Sequence, residues 1–260
     1  LEFRRVLFRS IAYYVKKLEE VFIEATPYDA CAAIVFEPVQ GEGGFVPAPI
    51  EWVKAVRKIC DEHGILMICD EVQCGWARSG KMFASQYFAE AGAAPDIMST
   101  AKSIAGGLPL SAVTARAEIM DAVPGGTIGG TYGANAVSAA SALKVVEVME
   151  RDDYPAKAMH IADVATKAFN EWKEKYECVG DVRGLGAMIG IEFVKDKATK
   201  EPDAALVNAI VQEAMNNGLM LEAAGTYSNV IRFLCPLCVT DAQLNAGLEI
   251  LENAIKTCSK

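Results

Sequence analysis

Three side chains of this sequence stand where their type and setting could do chemistry. Lys102, in STAKSIAGG, follows a short apolar run and enters a Ser-Ile-Ala-Gly-Gly turn whose small residues let other groups approach closely. A lysine so placed can lose its proton when desolvated or set near another cation, and its free amine can then form a Schiff base with a carbonyl. The same setting also suits a plain surface lysine at a strand end. Asp70 follows the apolar run ILMIC. It therefore closes a buried strand, where an unpartnered carboxylate is costly and calls for a cation. A protonated ring nitrogen of a bound cofactor, a structural ion pair or a helix cap would each answer that need. Arg232, in NVIRF, lies on a short apolar strand, where a guanidinium can grip a carboxylate bidentately or close a structural ion pair. Glu42, in the loop GEGG, reads by itself as a solvated acid.

Other chemistries find less support. Cys235 and Cys238 form a CxxC with no second pair, and the only histidines are His63 and His160. The eight cysteines read as free thiols of a reducing cytoplasm, and no metal site is expected.

The elements that must position these residues are legible in the hydrophobic periodicity. Apolar residues at helical spacing predict a helix over 11–24, and the continuous run 31–36 reads as a buried strand. A helix over 51–63 stops at Gly64, and a second buried strand covers 65–69. A helix is expected over 81–91, strands over 96–100 and 110–114, and a helix over 135–150. Strands alternating with helices imply an α/β domain with a mostly parallel sheet and its chemistry at the carboxyl ends of the strands. The composition shifts near 151–155. A long helix to about residue 177 comes next, then GDVRGLG leading into a strand over 187–194. A helix over 204–217, short strands near 219–222 and 230–234, and a closing helix from Asp241 complete an α+β region. The expected organisation is a large-domain portion over 11–151 and a small C-terminal domain over 152–260. The first ten residues, LEFRRVLFRS, do not match the amphipathic pattern that begins at Ile11 and read as a leader foreign to the chain, with a targeting segment as the alternative.

Of the 260 residues 52% are hydrophobic and 23% charged, as in soluble globular enzymes. The net charge of −9 repels phosphate backbones and argues against nucleic-acid binding. No apolar run approaches the roughly 18 residues needed to span a bilayer, so no membrane partner is expected.

Six segments together carry a family resemblance. EPVQGEGG (37–44), CDEHGILMICDEVQ (60–73), AKSIAGGLPLSAV (101–113), GGTYGANAV (129–137), GDVRGLGAMIGIEF (180–193) and NVIRFLCPL (229–237) come in the order and near the spacings of class-III pyridoxal-phosphate aminotransferases. The resemblance covers residues 11 to 258. It implies an aspartate-aminotransferase-like fold (fold type I), pyridoxal 5'-phosphate as cofactor, and a cytoplasmic homodimer with shared active sites. The implied reaction is transamination between an ω-amino acid and a 2-oxo acid. It points most directly to 4-aminobutyrate with 2-oxoglutarate, giving succinate semialdehyde and glutamate. Acylornithine, putrescine or β-alanine donors, a non-transaminating relative such as an aminomutase, and an inactive fragment are the alternatives.

Roles carry over residue by residue. Lys102 resembles the lysine that bonds the cofactor's aldehyde carbon and shuttles the substrate proton. Asp70 resembles the partner of the pyridine nitrogen. Val72 resembles the residue packed under the ring and Gln73 the donor to its phenolic oxygen. Thr131, in GGTY, resembles the residue that reaches the phosphate of the neighbouring subunit. Arg232 resembles the residue that holds the α-carboxylate of a 2-oxo acid or glutamate. Glu42 resembles the acid that pairs with that arginine when the substrate lacks an α-carboxylate. The chain departs from the family pattern at Trp76, Arg78 and Ala136 and at a small insertion over 88–92. The family's phosphate-cradling Gly-Ser/Thr-Gly-Ala turn, stacking aromatic and second carboxylate-binding arginine precede the matched region and find no counterpart here. The chain is therefore expected to be truncated at its N-terminus, to bind cofactor less tightly, and to be a poor catalyst by itself.

Overall fold

The structure, a computed structural model, describes residues 11–127, 129–131, 133 and 135–259. The foreign-leader expectation for residues 1–10 lies outside the described residues. The chain divides into two compact units. The first holds the described residues up to Pro38, Ala48–Trp76 and Phe83–Asp152; the second holds Val39–Pro47, Ala77–Met82 and the described residues from Asp153 on.

The first half runs α1 (Ile11–Glu24), β1 (Ala33–Phe36) and a short hairpin of β2 (Val39–Gln40) and β3 (Val46–Pro47) that belongs to the second unit. Then come α2 (Ile50–His63), β4 (Leu66–Asp70), α3 (Ser85–Glu90), β5 (Ile97–Thr100), β6 (Ala112–Ala115), α4 (Ala117–Met120) and α5 (Ala136–Arg151). The sheet of the first unit is ordered β1-β4-β5-β6, parallel except for its last pair. Helix α2 buries Val53, Val56, Ile59 and Cys60, which cluster with Met67 and Cys69 of β4 and with Phe22 of α1. Gly64 ends α2 in the left-handed region (φ 68°), which glycine enters at no steric cost, and its N–H donates to the carbonyl of Cys60. The buried carboxylate of Asp96 ties the layers together. Its Oδ2 accepts from Arg57 of α2 (2.7 Å) and from the N–H of Met67 (2.7 Å).

The helix expected over 81–91 forms only over Ser85–Glu90. Two contacts fix its start. The N–H of Ala77 donates to Met82 O (3.2 Å), closing residues 77–82 into a loop of the second unit. The Glu71 carboxylate then accepts the N–H groups of Ala84 (3.1 Å) and Ser85 (2.5 Å), which a helix leaves unsatisfied at its first turn.

The second unit continues with α6 (Tyr154–Lys175), β7 (Val179–Leu185), β8 (Met188–Asp196), β9 (Glu201–Pro202), α7 (Ala204–Asn216), β10 (Glu222–Ala224), β11 (Val230–Phe233) and α8 (Asp241–Cys258). Its antiparallel sheet is ordered β10-β11-β8-β7, with β9 also on β8. Phe169 and Trp172 of α6, Ile210 of α7 and Leu251 of α8 join Ile191, Phe193 and Ile231 of the sheet in one core. The helix starts are capped: Asp153, Asp203 and Thr240 each accept an N–H of the first turn, and Thr240 with Gln243 forms a capping box. GDVRGLG, read from sequence as a connector, is most of β7. A Cβ on Gly184 would lie 2.1 Å from Met188 O, so the close pairing of β7 and β8 demands glycine there. Among the described residues no helix is long and apolar enough to cross a membrane.

Candidate active site

Two clusters form, one in each unit. In the first unit, β4 and β5 run parallel with Asp70 opposite Ser99. Both strands therefore end at the same edge of the sheet. Lys102 lies three residues beyond Ser99, at most about 10 Å of chain. Asp70 Oδ1 accepts from the N–H of Val72 (2.9 Å), an Asx turn that reverses the chain at the strand end, and from Ser99 Oγ (3.3 Å). Its Oδ2 has no partner among the described residues, which leaves one lone-pair set for a cation. Val72 and Gln73 continue the same turn and are half-buried.

Lys102 sits in a strained conformation. It has φ 50°, the left-handed region a side chain rarely adopts, as it opens a 3-10 turn over Lys102–Ala105. Gly106 closes that turn at φ 60°. Helix α5 buttresses it: Ser141 Oγ donates to Ala105 O (2.9 Å), and Val145 leaves a Cβ on Gly106 only 3.2 Å of room. The Lys102 side chain is exposed and has no hydrogen bond or ion pair among the described residues. Asp70, Val72, Gln73 and Lys102 thus leave one sheet edge together. Thr131 lies in a turn shortly before α5 and is exposed.

In the second unit Arg232 is buried on β11, with its side chain 8% exposed. Its Nη1 donates to Glu42 and its Nη2 to Glu222 Oε2 (2.5 Å). Its Nε is buried and has no partner among the described residues. Glu42 stands in the turn between β2 and β3, and the backbone of that turn is pinned. The N–H of Gly225 donates to Glu42 O (2.9 Å), and Arg183 Nε donates to Gly44 O (3.0 Å). Arg183 is itself held by Asp181 and Glu192. The freedom left to Glu42 is therefore rotation of its side chain over a fixed backbone.

Three residues of these clusters carried no sequence signal: Ser99, Glu71 and Glu222. Glu71 is fully buried, and burial pushes its carboxyl above the ordinary 4.5 against the two backbone N–H groups that pull it down. Burial likewise pushes the Cys69 thiol up to about 12 and the Cys60 thiol to about 11, so neither is a ready nucleophile. Cys235 and Cys238 are free, and among the described residues no group of His, Cys, Asp or Glu could hold a metal ion.

The donor set suits a cofactor with an aldehyde and a basic ring nitrogen: an uncommitted amine and a half-committed carboxylate at one strand edge. Comparison with known proteins points the same way. Residues 6–255 match the aminotransferase class-III family. The 5-aminovalerate aminotransferase of Pseudomonas putida is 47% identical over 244 residues, 94% of this chain and 56% of that protein. The 4-aminobutyrate aminotransferase of Escherichia coli is 47% identical over 228 residues, 88% of this chain and 53% of that protein. A solved amine transaminase from an uncultivated Pseudomonas species, in a PLP-bound form, superposes with a TM-score of 0.87 at 33% identity, covering 95% of this chain and 57% of that one. The chain spans about half the length of the curated relatives it matches.

Proposed function

Because the chain belongs to the class-III aminotransferase family, we propose that it carries the lysine-bearing half of a pyridoxal-phosphate enzyme that transaminates an ω-amino acid, 4-aminobutyrate with 2-oxoglutarate as acceptor. The observation that carries the reading is the parallel register of β4 and β5, which sends Asp70 and Lys102 off the same sheet edge. Pyridoxal phosphate, when bound, supplies the electron sink for the bond-breaking step. The chain's own residues do the rest. Asp70, through its free Oδ2, would hold a positive charge on the ring nitrogen. Val72 would pack against the ring's face and Gln73 would donate to its phenolic oxygen. The Lys102 amine takes the proton from the substrate carbon and returns it. Thr131, exposed in its turn, would reach the cofactor phosphate bound in a partner subunit, in keeping with a cytoplasmic homodimer.

Arg232 and Glu42 handle the two half-reactions. An ω-amino donor has no carboxylate beside its amine, and Glu42 then stays on Arg232. Glutamate or a 2-oxo acid brings an α-carboxylate, which takes the guanidinium as Glu42 rotates away. The names of the relatives support donors that carry a carboxylate at the far end, four or five carbons long. A pocket separates two donors one methylene apart by only about 10- to 200-fold, so a panel of both, with acylornithine, putrescine and β-alanine, ranks them. The test of the site is borohydride reduction of the intact holoenzyme followed by peptide mapping. Cofactor label is expected on Lys102 alone; label on any other lysine would overturn the assignment.

A further inference from the structure

Glu222 is the residue that the functional reading leaves unused. It faces Arg232 directly across the β10–β11 ladder, and its Oε2 accepts from Nη2 at 2.5 Å while Glu42 takes Nη1. Two carboxylates thus compete for one guanidinium, and the cluster carries one net negative charge. Both acids stand on fixed backbone, Glu42 in the pinned β2–β3 turn and Glu222 on β10 opposite Arg232, and each takes its own nitrogen. An incoming α-carboxylate that displaces Glu42 from Nη1 still meets Glu222 on the neighbouring nitrogen. Nε, the remaining donor, is buried, so bidentate capture from the exposed side has to use the two nitrogens the acids occupy.

We propose that Glu222 is a second acid gate on Arg232 that weakens binding of the α-carboxylate substrate and so sets the balance between the two half-reactions. The proposal rests on Arg232 being the α-carboxylate partner. Removing the Glu222 charge relieves like-charge repulsion on the 2-oxo acid and frees Nη2. Its exposed side chain, 70% accessible, makes Glu222→Gln safe for folding. The ω-amino donor puts no carboxylate there and is unaffected by the change.

The experiment is steady-state kinetics of the intact holoenzyme with 2-oxoglutarate varied against the ω-amino donor, for wild type, Glu222→Gln and Arg232→Gln. For Glu222→Gln the KM for 2-oxoglutarate should fall about three- to tenfold, the scale of one screened charge at contact distance, with kcat and the donor KM within about twofold. A role confined to holding the strand pair would not lower a KM. If Arg232→Gln raises the KM for 2-oxoglutarate and Glu222→Gln leaves it unchanged or higher, the gate is overturned while the functional reading stands. If Arg232→Gln leaves that KM unchanged, the reading of Arg232 and the gate fall together.

Discussion

At the residue scale, burial and hydrogen bonding decide what each acid is free to do. Asp70 and Glu71 are neighbours in opposite settings. Asp70 is half-exposed with an open oxygen, whereas Glu71 is sealed and serves the first turn of α3. Burial raises the Glu71 carboxyl above 4.5, so its neutral form is the better fit to the fold. Its contribution is fully present below the unfolded value and is lost as pH rises through the folded one. Glu71→Gln stays neutral throughout. The melting temperature of wild type should therefore decline relative to Glu71→Gln as pH rises from about 4.5, as read by thermal scans across pH; parallel curves would mean that burial is not the governing cause. Sequence made Asp70 legible because an acid after five apolar residues demands an explanation. Arg232, after only two apolar residues, stood out only in company with the surrounding motifs. Glu71 gave no such signal, since its partners lie 13 and 14 residues away. Glu222 could have been found only by counting the hairpin register back from Arg232 across Gly225.

At the element scale, the strands built from continuous apolar runs and the helices with a clean apolar stripe were readable, because burial on one or both faces writes its period into the chain. The elements set by distant contacts were not. Helix α3 loses its expected first turn to the 77–82 loop and to Glu71, and β7 hides behind the glycines its pairing requires. The turn that presents Lys102 is likewise tertiary in origin. It depends on Gly106 holding φ 60° against Val145 and on Ser141 satisfying the Ala105 carbonyl. Gly106→Ala adds a Cβ in a left-handed conformation and at 3.2 Å from Val145, which should cost about 1–2 kcal/mol. Ser141→Ala removes one of two donors to the Ala105 carbonyl, which keeps the N–H of Leu108, and should cost about 0.5–1 kcal/mol. Both should also reduce the yield of cofactor label on Lys102 under borohydride, because they loosen the same turn. Denaturant titration with peptide mapping reads the two effects together. A destabilised Gly106→Ala with undiminished label would show that the turn does not position the lysine.

At the scale of the whole molecule, the two units are unequally supported. The second unit packs three long helices, α6, α7 and α8, against its sheet, and β8 is paired on both sides. The first unit buries chiefly α2 and α1 against a four-stranded sheet, and leaves Val35 on β1, Val113 on β6, and Val137 and Leu143 on α5 exposed. Each apolar side chain left in water forgoes about 1.5–3 kcal/mol of burial, and cooperative units with less buried surface open at lower free energy. The amides of β4, over Leu66–Asp70, should therefore exchange with deuterium faster than those of β8, over Met188–Asp196, in this chain under native conditions. A thiol probe checks the same opening independently. Cys69, pushed to about 12 by burial, can react only when β4 opens, whereas exposed Cys238 reacts without unfolding. Labelling of Cys69 should track the β4 amides as denaturant is raised and precede exchange in β8. Amides of β4 that outlast those of β8 would reverse the order and place the more stable core beside Asp70 and Lys102.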